Sequence, residues 1–446
     1  MELANGSRVA ILGGGPAGSF TACFMLDLAR RLSLQLEVDI YEPRGFYQCG
    51  PVGCNMCGGI ISESLVQNLA TEGLHLSPNM VLETINTYTL HTDYGSVDIG
   101  TPLEEMRIAA IFRGGGPRGA ENQKPLPWDG FDWFMLQKAV QQGARHLPHR
   151  VAEIHRDGDG KPRLLMKNEG VRVYDLLVGA PGINNPASLR LFENMDFGYQ
   201  PPKMMKAFIA EWYMGAEDVQ ERLGHVMHIF LLHLPGLMFA ALTPKGPYAT
   251  LVILGEGADE ELANRLCRTP QMQALLPPNW QIPVQPCQCQ PHIYIGAAKN
   301  PFGDRVVMVG DAGVSRLYKD GIGAAFRTAK ACANTALTRG VAKEHFQRHY
   351  WPACQEMERD NLLGHGLFKV DGLLGWWPLF RHALLGVVRW EQNHPFSQRH
   401  LSRALWNTFT GSAAYTDILL DLLHPTTMGR FCWEVVKQAI PGSRSS

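Results

Sequence analysis

The sequence predicts an α/β protein with an α+β insertion: a Rossmann-like nucleotide-binding domain, an inserted antiparallel sheet and a helical C-terminal region. Three observations predict it. "RVAILGGGPAGSFTACFMLDLARR" (8–31) reads as a buried strand, a glycine turn and a helix whose apolar residues recur at three and four positions. Far downstream, "DRVVMVGDAGVSRLYKDGIGAAFRTAKACANTAL" (304–337) again reads as a strand, a loop and an alanine-rich helix. From about residue 341 the apolar spacing is helical, broken at "NHPFS" and "LLHPTT".

The composition agrees with that class. A chain of 446 residues, 45% hydrophobic and 19% charged, has room for two or three domains and a substantial core. Lysine plus arginine (41) nearly cancels aspartate plus glutamate (42), so no global field draws the chain to nucleic acid. Ten cysteines over this length, with no charged-then-apolar leader before residue 9, predict a reduced, cytoplasmic protein. The longest apolar stretches, "HIFLLHLPGLMFAALTP" and "GLLGWWPLFRHALLGVV", fall short of the ~20 uninterrupted residues a spanning helix needs. The first turns at Pro235-Gly236 between β-rich arms and predicts a hairpin. No G-x-S-x-G, H-E-x-x-H or P-loop offers a hydrolase or NTPase chemistry.

At the N-terminal end, Gly13, Gly15 and Gly18 fit G-x-G-x-x-G. The first glycine allows the tight turn, the second lets backbone approach a pyrophosphate, and the third lets the helix pack on the strand with its N-terminus toward the anion. A second strand, "LEVDIYEP", ends in Glu42 with Arg44 just beyond. A carboxylate there accepts both hydroxyls of an unphosphorylated ribose.

Together, the glycine fingerprint, the Gly310-Asp311 strand end and the helix opening at Gly321 and Gly323 resemble the flavoprotein group that includes para-hydroxybenzoate hydroxylase and the geranylgeranyl reductases. The resemblance implies FAD, with Asp311 holding the ribitol chain and the amides near Gly321 and Gly323 facing the flavin pyrimidine. "GFDWFMLQKAVQQGARHL" resembles the group's middle helix through Phe131, Asp132, Ala139, Gly143 and Ala144. In "YDLLVGAPGINNPASLR", Pro181 stands where relatives carry an aspartate that helps a nicotinamide meet the flavin, which points to another electron donor, such as a protein. Lys319 follows Tyr318 in the flavin loop; it either places a charge near the flavin that raises its reduction potential or is a solvated loop lysine.

"LMFAALTPKGPYATLVILG" resembles the reductase stretch that ends P-K-G, with Phe239 and Ala241 at the aromatic positions lining the relatives' cavity and Pro244-Lys245 at its end. The implied domains are a discontinuous FAD-binding domain (1–95, 131–195, 295–340), a substrate domain (96–130, 196–294) and a helical C-terminal region (341–446). The implied activity is an FAD-dependent oxidoreductase acting on an apolar acceptor, an isoprenoid double bond or a membrane quinone. The alternative is an electron-transfer flavoprotein module that docks on a protein partner.

Two segments stay open at this level. "FYQCGPVGCNMCGGIIS" (46–62) gathers Cys49, Cys54 and Cys57. It reads as a pocket wall of inert thiols, as a thiol working beside the flavin, or as an iron–sulfur or zinc site lacking a local fourth ligand. Cys57-Gly58-Gly59 matches the C-G-G segment of the reductases, so the expectation is Cys57 beside the isoalloxazine and no metal. Cys287 and Cys289 of "QPCQCQPH" are expected on opposite faces of an irregular strand. Six of the ten tryptophans fall in the C-terminal region; Trp376-Trp377 with Arg381, His382 and Arg389 suits a short helix lying in a bilayer headgroup layer, and a packed helical cap is the competing expectation.

Overall fold

The computed structural model describes residues 1–102, 107–123, 128–167, 170–193, 195–281, 287–374, 377–411 and 413–439. The chain divides into two compact units, the first made of 1–55, 113–205 and 292–361 and the second of 56–112, 206–291 and 362–446.

The first unit is built on a sheet ordered Phe302–Gly303, Val306–Met308, Leu176–Gly179, Ser7–Leu12, Leu36–Tyr41, Arg145–Leu147. All neighbours run parallel except the edge strand Phe302–Gly303. Val9, Ala10 and Ile11 are fully buried, as a central parallel strand covered on both faces requires. Helix Pro16–Arg31 follows, with proline in its first turn and no side-chain cap at Gly15, so its leading backbone N–H groups receive no side-chain oxygen. Its Phe20 and Phe24 pack edge-on against Phe326 of helix Gly321–Thr338, at ring separations of 5.7 and 5.2 Å. The two nucleotide-type helices thus share one aromatic seam, each buried ring worth about 1.5–3 kcal/mol.

The second unit carries a sheet ordered Cys287–Cys289, Lys203–Tyr213, Tyr248–Leu254, Phe239–Lys245, Val226–Leu231, Thr87–Thr92, Gly95–Gly100. Phe239–Lys245 and Tyr248–Leu254 form a hairpin turning at Gly246, whose φ of +58° suits glycine. Pro235-Gly236 instead joins Val226–Leu231 to Phe239–Lys245, the antiparallel pair expected there. Because Thr87–Thr92 pairs with both Val226–Leu231 and Gly95–Gly100, residues 56–95 fall in the second unit, not with the nucleotide end. Strand pairing decides this, and no local sequence signal carries it. The helical C-terminal region is also divided, at 361 and 362.

Helix Pro378–Gln392 differs from a headgroup-layer helix. Ala383, Leu384, Leu385, Val387 and Val388 are all buried, four of them in one core with Val97 and Ile99 of strand Gly95–Gly100 and with Trp406. Arg381 and Glu391 are buried too, and Glu391 accepts the backbone N–H groups of Leu401 and Ser402 at 2.9 and 2.7 Å. The apolar stripe pairs with protein and leaves Trp377 and Leu379 exposed; Trp376 lies outside the described residues. Among the described residues no helix is long and apolar enough to cross a membrane.

Candidate cofactor site

In the first unit the glycine turn is held by contacts that exclude any side chain. A Cβ at Gly13 (φ +112°) would collide with the carbonyl of Ala180 and reach Pro181 Cα at 3.2 Å. One at Gly18 would collide with the carbonyl of Gly13. Gly15 is different: a Cβ there would meet no backbone, only Asn55 Nδ2 at 3.3 Å, at the helix N-terminus where a pyrophosphate is expected.

Glu42 lies at the end of its strand, 2% exposed. Its carboxylate accepts the N–H groups of Gly14 and Arg44, both at 3.0 Å, and pairs with the Arg44 guanidinium. These contacts occupy both oxygens, so holding a ribose requires the Arg44 side chain to give way. Arg44 also donates to Asn55, Asn55 donates to the buried Asp132, and Asp132 is paired with Arg113. Sequence reasoning missed Asn55 and Arg113. The available signal was the run "RGGGPRG": a Cβ at Gly114 or Gly115 would strike the backbone of Gly53 or Tyr47, so this stretch lies directly under the cysteine loop.

The second motif meets the first. A Cβ at Gly310 (φ +61°) would lie 2.7 Å from Ala17 Cβ on the dinucleotide helix. Asp311 follows, and its Oδ1 is buried with no hydrogen-bond partner among the described residues. Burial pushes its carboxyl up, opposed by a Ser315 hydrogen bond and the Arg113 charge. An orphaned acceptor beside a glycine cradle is what a ribitol hydroxyl would satisfy, so the residues present fit FAD.

The helix from Gly321 opens otherwise than expected. Asp320, itself at φ +49°, caps it by accepting the Gly323 N–H at 3.0 Å, and pairs with Arg327 at 2.8 Å and Arg316 at 3.6 Å. The Gly323 amide is thereby occupied, and a carboxylate already sits at the positive end of the helix. Lys319 is 9% exposed, so it is no solvated loop lysine. Burial, helped by Arg316, pushes its pKa well below the usual lysine range against the pull of Asp360 and Asp320, which disfavours the fixed positive charge of the other reading.

Two of the loop cysteines meet different backbone groups. The Cys49 thiol donates to the Gly115 carbonyl at 3.0 Å, while Cys57 Sγ accepts the Gly59 N–H at 3.4 Å. Among the described residues no group of three or more His, Cys, Asp or Glu could hold a metal ion. Cys287 and Cys289 correct the expectation of opposite faces: they pair in regular register with Glu211 and Ile209, so both side chains fall on one face.

In the second unit, Phe239, Ala241 and Lys245 alternate onto one face of their strand and Pro244 onto the other. Gly58 and Gly59 lie against the first face: a Cβ at Gly58 would be 3.2 Å from Val252 Cγ2, and one at Gly59 would be 2.9 Å from Lys245 Nζ. Two segments distant in sequence, C-G-G and P-K-G, therefore meet.

No family model matches this chain, and no curated protein sequence does. Solved structures do share its fold. A geranylgeranyl bacteriochlorophyll reductase-like protein from Thermoplasma acidophilum superposes with a TM-score of 0.63 at 12% identity, over 98% of this chain and 99% of that one. The 2-methyl-3-hydroxypyridine-5-carboxylic acid oxygenase gives 0.56 at 14% identity, over 84% and 94%. A flavin-dependent brominase gives 0.56 at 14% identity, over 97% and 99%. The chain shares its fold with a reductase-like protein, an oxygenase and a flavin-dependent brominase.

Proposed function

We propose that this chain is an FAD-dependent oxidoreductase acting on an apolar acceptor, an isoprenoid double bond or a quinone. The observation that supports the FAD reading is the close approach of Gly310 to Ala17, which brings the dinucleotide helix and the Gly-Asp strand end together, with the orphaned Asp311 oxygen one residue on. Gly13, Gly15 and Gly18 would hold the pyrophosphate, Glu42 the ribose and Asp311 the ribitol. The flavin supplies the two-electron chemistry, and the protein positions it and the acceptor. The apolar acceptor is supported by the reductase-like fold and by the half-exposed Phe239 and Val252 beside Ala241 in the second unit. Pro181, against the Gly13 turn, brings no acid there, which supports a donor other than a nicotinamide, such as a protein.

The test is the absorption spectrum of the purified protein, beside that of Gly15→Val. The parent should be yellow with one flavin per chain. Because a Cβ at Gly15 would press only on the Asn55 side chain, 3.3 Å away and able to move, and on no backbone, the variant should fold, read by circular dichroism, and be colourless. A colourless parent, or full flavin in Gly15→Val, overturns the assignment.

A further inference from the structure

Lys245 is 1% exposed, and its Nζ has no hydrogen-bond acceptor among the described residues. Glu211 Oε1 lies 3.5 Å away and the Phe112 ring centroid 5.0 Å away. The Thr250 hydroxyl donates to Glu211 Oε2 at 2.5 Å, which orients the carboxylate and leaves Oε1 toward the ammonium. A buried ammonium is costly unless its charge and its N–H groups are met. Here Glu211 meets the charge, and the N–H groups lack an acceptor.

The surroundings define what would meet them. By strand register, Thr243, Thr250 and Glu211 form one polar row on this face, and Ala241, Val252 and Ile209 form the next, apolar row. Phe239 continues the apolar side. Val252, Phe239, Cys57 and Gly58 are partly exposed and the Glu211 side chain is 12% exposed, so the face is not fully sealed. Gly59 brings backbone close to Nζ: a Cβ there would lie 2.9 Å from it and would collide with the Ile111 carbonyl oxygen.

We propose that Lys245 is the binding point for one ionised or strongly accepting oxygen on an otherwise apolar molecule, whose body lies along Val252, Ala241 and Phe239. This deepens the proposed function: among apolar acceptors it selects those with an oxygen beside an apolar ring or chain, such as hydroxyquinones, over plain hydrocarbons. Glu211 acts as a positioning residue that compensates the charge and keeps the ammonium from pairing more tightly elsewhere.

The test compares binding of 2-hydroxy-1,4-naphthoquinone, anionic at neutral pH, with 1,4-naphthoquinone by titration calorimetry on the oxidised protein, with flavin content read from the same samples. The parent should prefer the hydroxy compound at least tenfold, and Lys245→Met should bring the two near parity. Lys245→Met leaves Glu211 without its cation, so Lys245→Met/Glu211→Gln carries the same test with no buried charge and should show the same parity. Equal affinities in the parent, binding of neither compound, or a preference surviving both variants overturns the proposal. Flavin content bears only on the FAD reading, so the two can fail separately.

Discussion

In the first unit two glycines of the turn press backbone against backbone: Gly13 against the Ala180 carbonyl and Gly18 against that of Gly13. In the second unit Gly58 meets a side chain, Val252, while Gly59 meets the Ile111 carbonyl first and the Lys245 side chain second. A carbonyl in a sheet or turn has nowhere to go, whereas a side chain has rotamers. The nucleotide turn is therefore bound up with folding itself, and the Lys245 face can be altered with the fold kept.

The most severe way to break this contrast is Gly18→Ala. Its methyl would occupy the position of a carbonyl oxygen, so a loss above ~4 kcal/mol and no soluble native protein are expected. A variant melting like the parent would show that the turn yields after all.

The second unit has its own rigid part. Leu385→Ala should cost ~2–5 kcal/mol of stability in thermal or denaturant unfolding, as core truncations do, because Leu385 packs in the core with Val97, Ile99 and Trp406. Trp377→Ser, at an exposed position, should stay within ~0.5 kcal/mol. The reverse order, together with sedimentation on anionic vesicles that Trp377→Ser abolishes, would return this helix to the lipid surface.

Glu42→Ala should weaken FAD binding by ~1.5–3 kcal/mol, the range for hydrogen bonds to a charged group, as seen in equilibrium flavin release. Unchanged affinity would mean that the Arg44 pair is all that Glu42 does.

Acid should also separate the two units. His91 Nε2 meets His228 Nδ1 at 3.0 Å, and burial lowers the two rings from 6.5 to about 4 and about 3. Since the folded rings take up protons later than the unfolded ones, their contribution is complete above pH 6.5 and is lost as pH falls toward 4, at ~1.4 kcal/mol per pH unit for each ring. Asp311 runs the other way: its raised folded pKa makes protonation favour the folded first unit as pH drops. Hydrogen exchange at pH 7 and 5 should therefore show faster opening of strands Thr87–Thr92 and Val226–Leu231 at the lower pH. Equal protection there would remove the histidine pair from the account.

Cys49→Ser should have a small effect, within ~1 kcal/mol, since a hydroxyl can replace the thiol donating to Gly115. Iron and sulfide found in anaerobic protein and lost in this variant would instead restore the cluster reading of the loop.

What the sequence by itself determined is the nucleotide end. A backbone that must approach a phosphate, or turn from strand to helix under a carbonyl, tolerates only glycine at fixed intervals, so Gly13, Gly15 and Gly18 are legible in one short stretch of chain and Gly310 in another. Glu42 and Asp311 follow because each stands at a strand end. Tertiary structure alone decided the rest. It set Arg113 and Asn55 on Asp132, laid the glycines of 114–116 under the cysteine loop, gave residues 56–95 to the second unit through strand pairing, and brought Gly59 to Lys245. It also covered the apolar stripe of helix Pro378–Gln392 with protein. Apolar periodicity announces that a face is buried, but a membrane, a sheet and a partner chain all present the same oily surface to it, and only the folded chain selects among them.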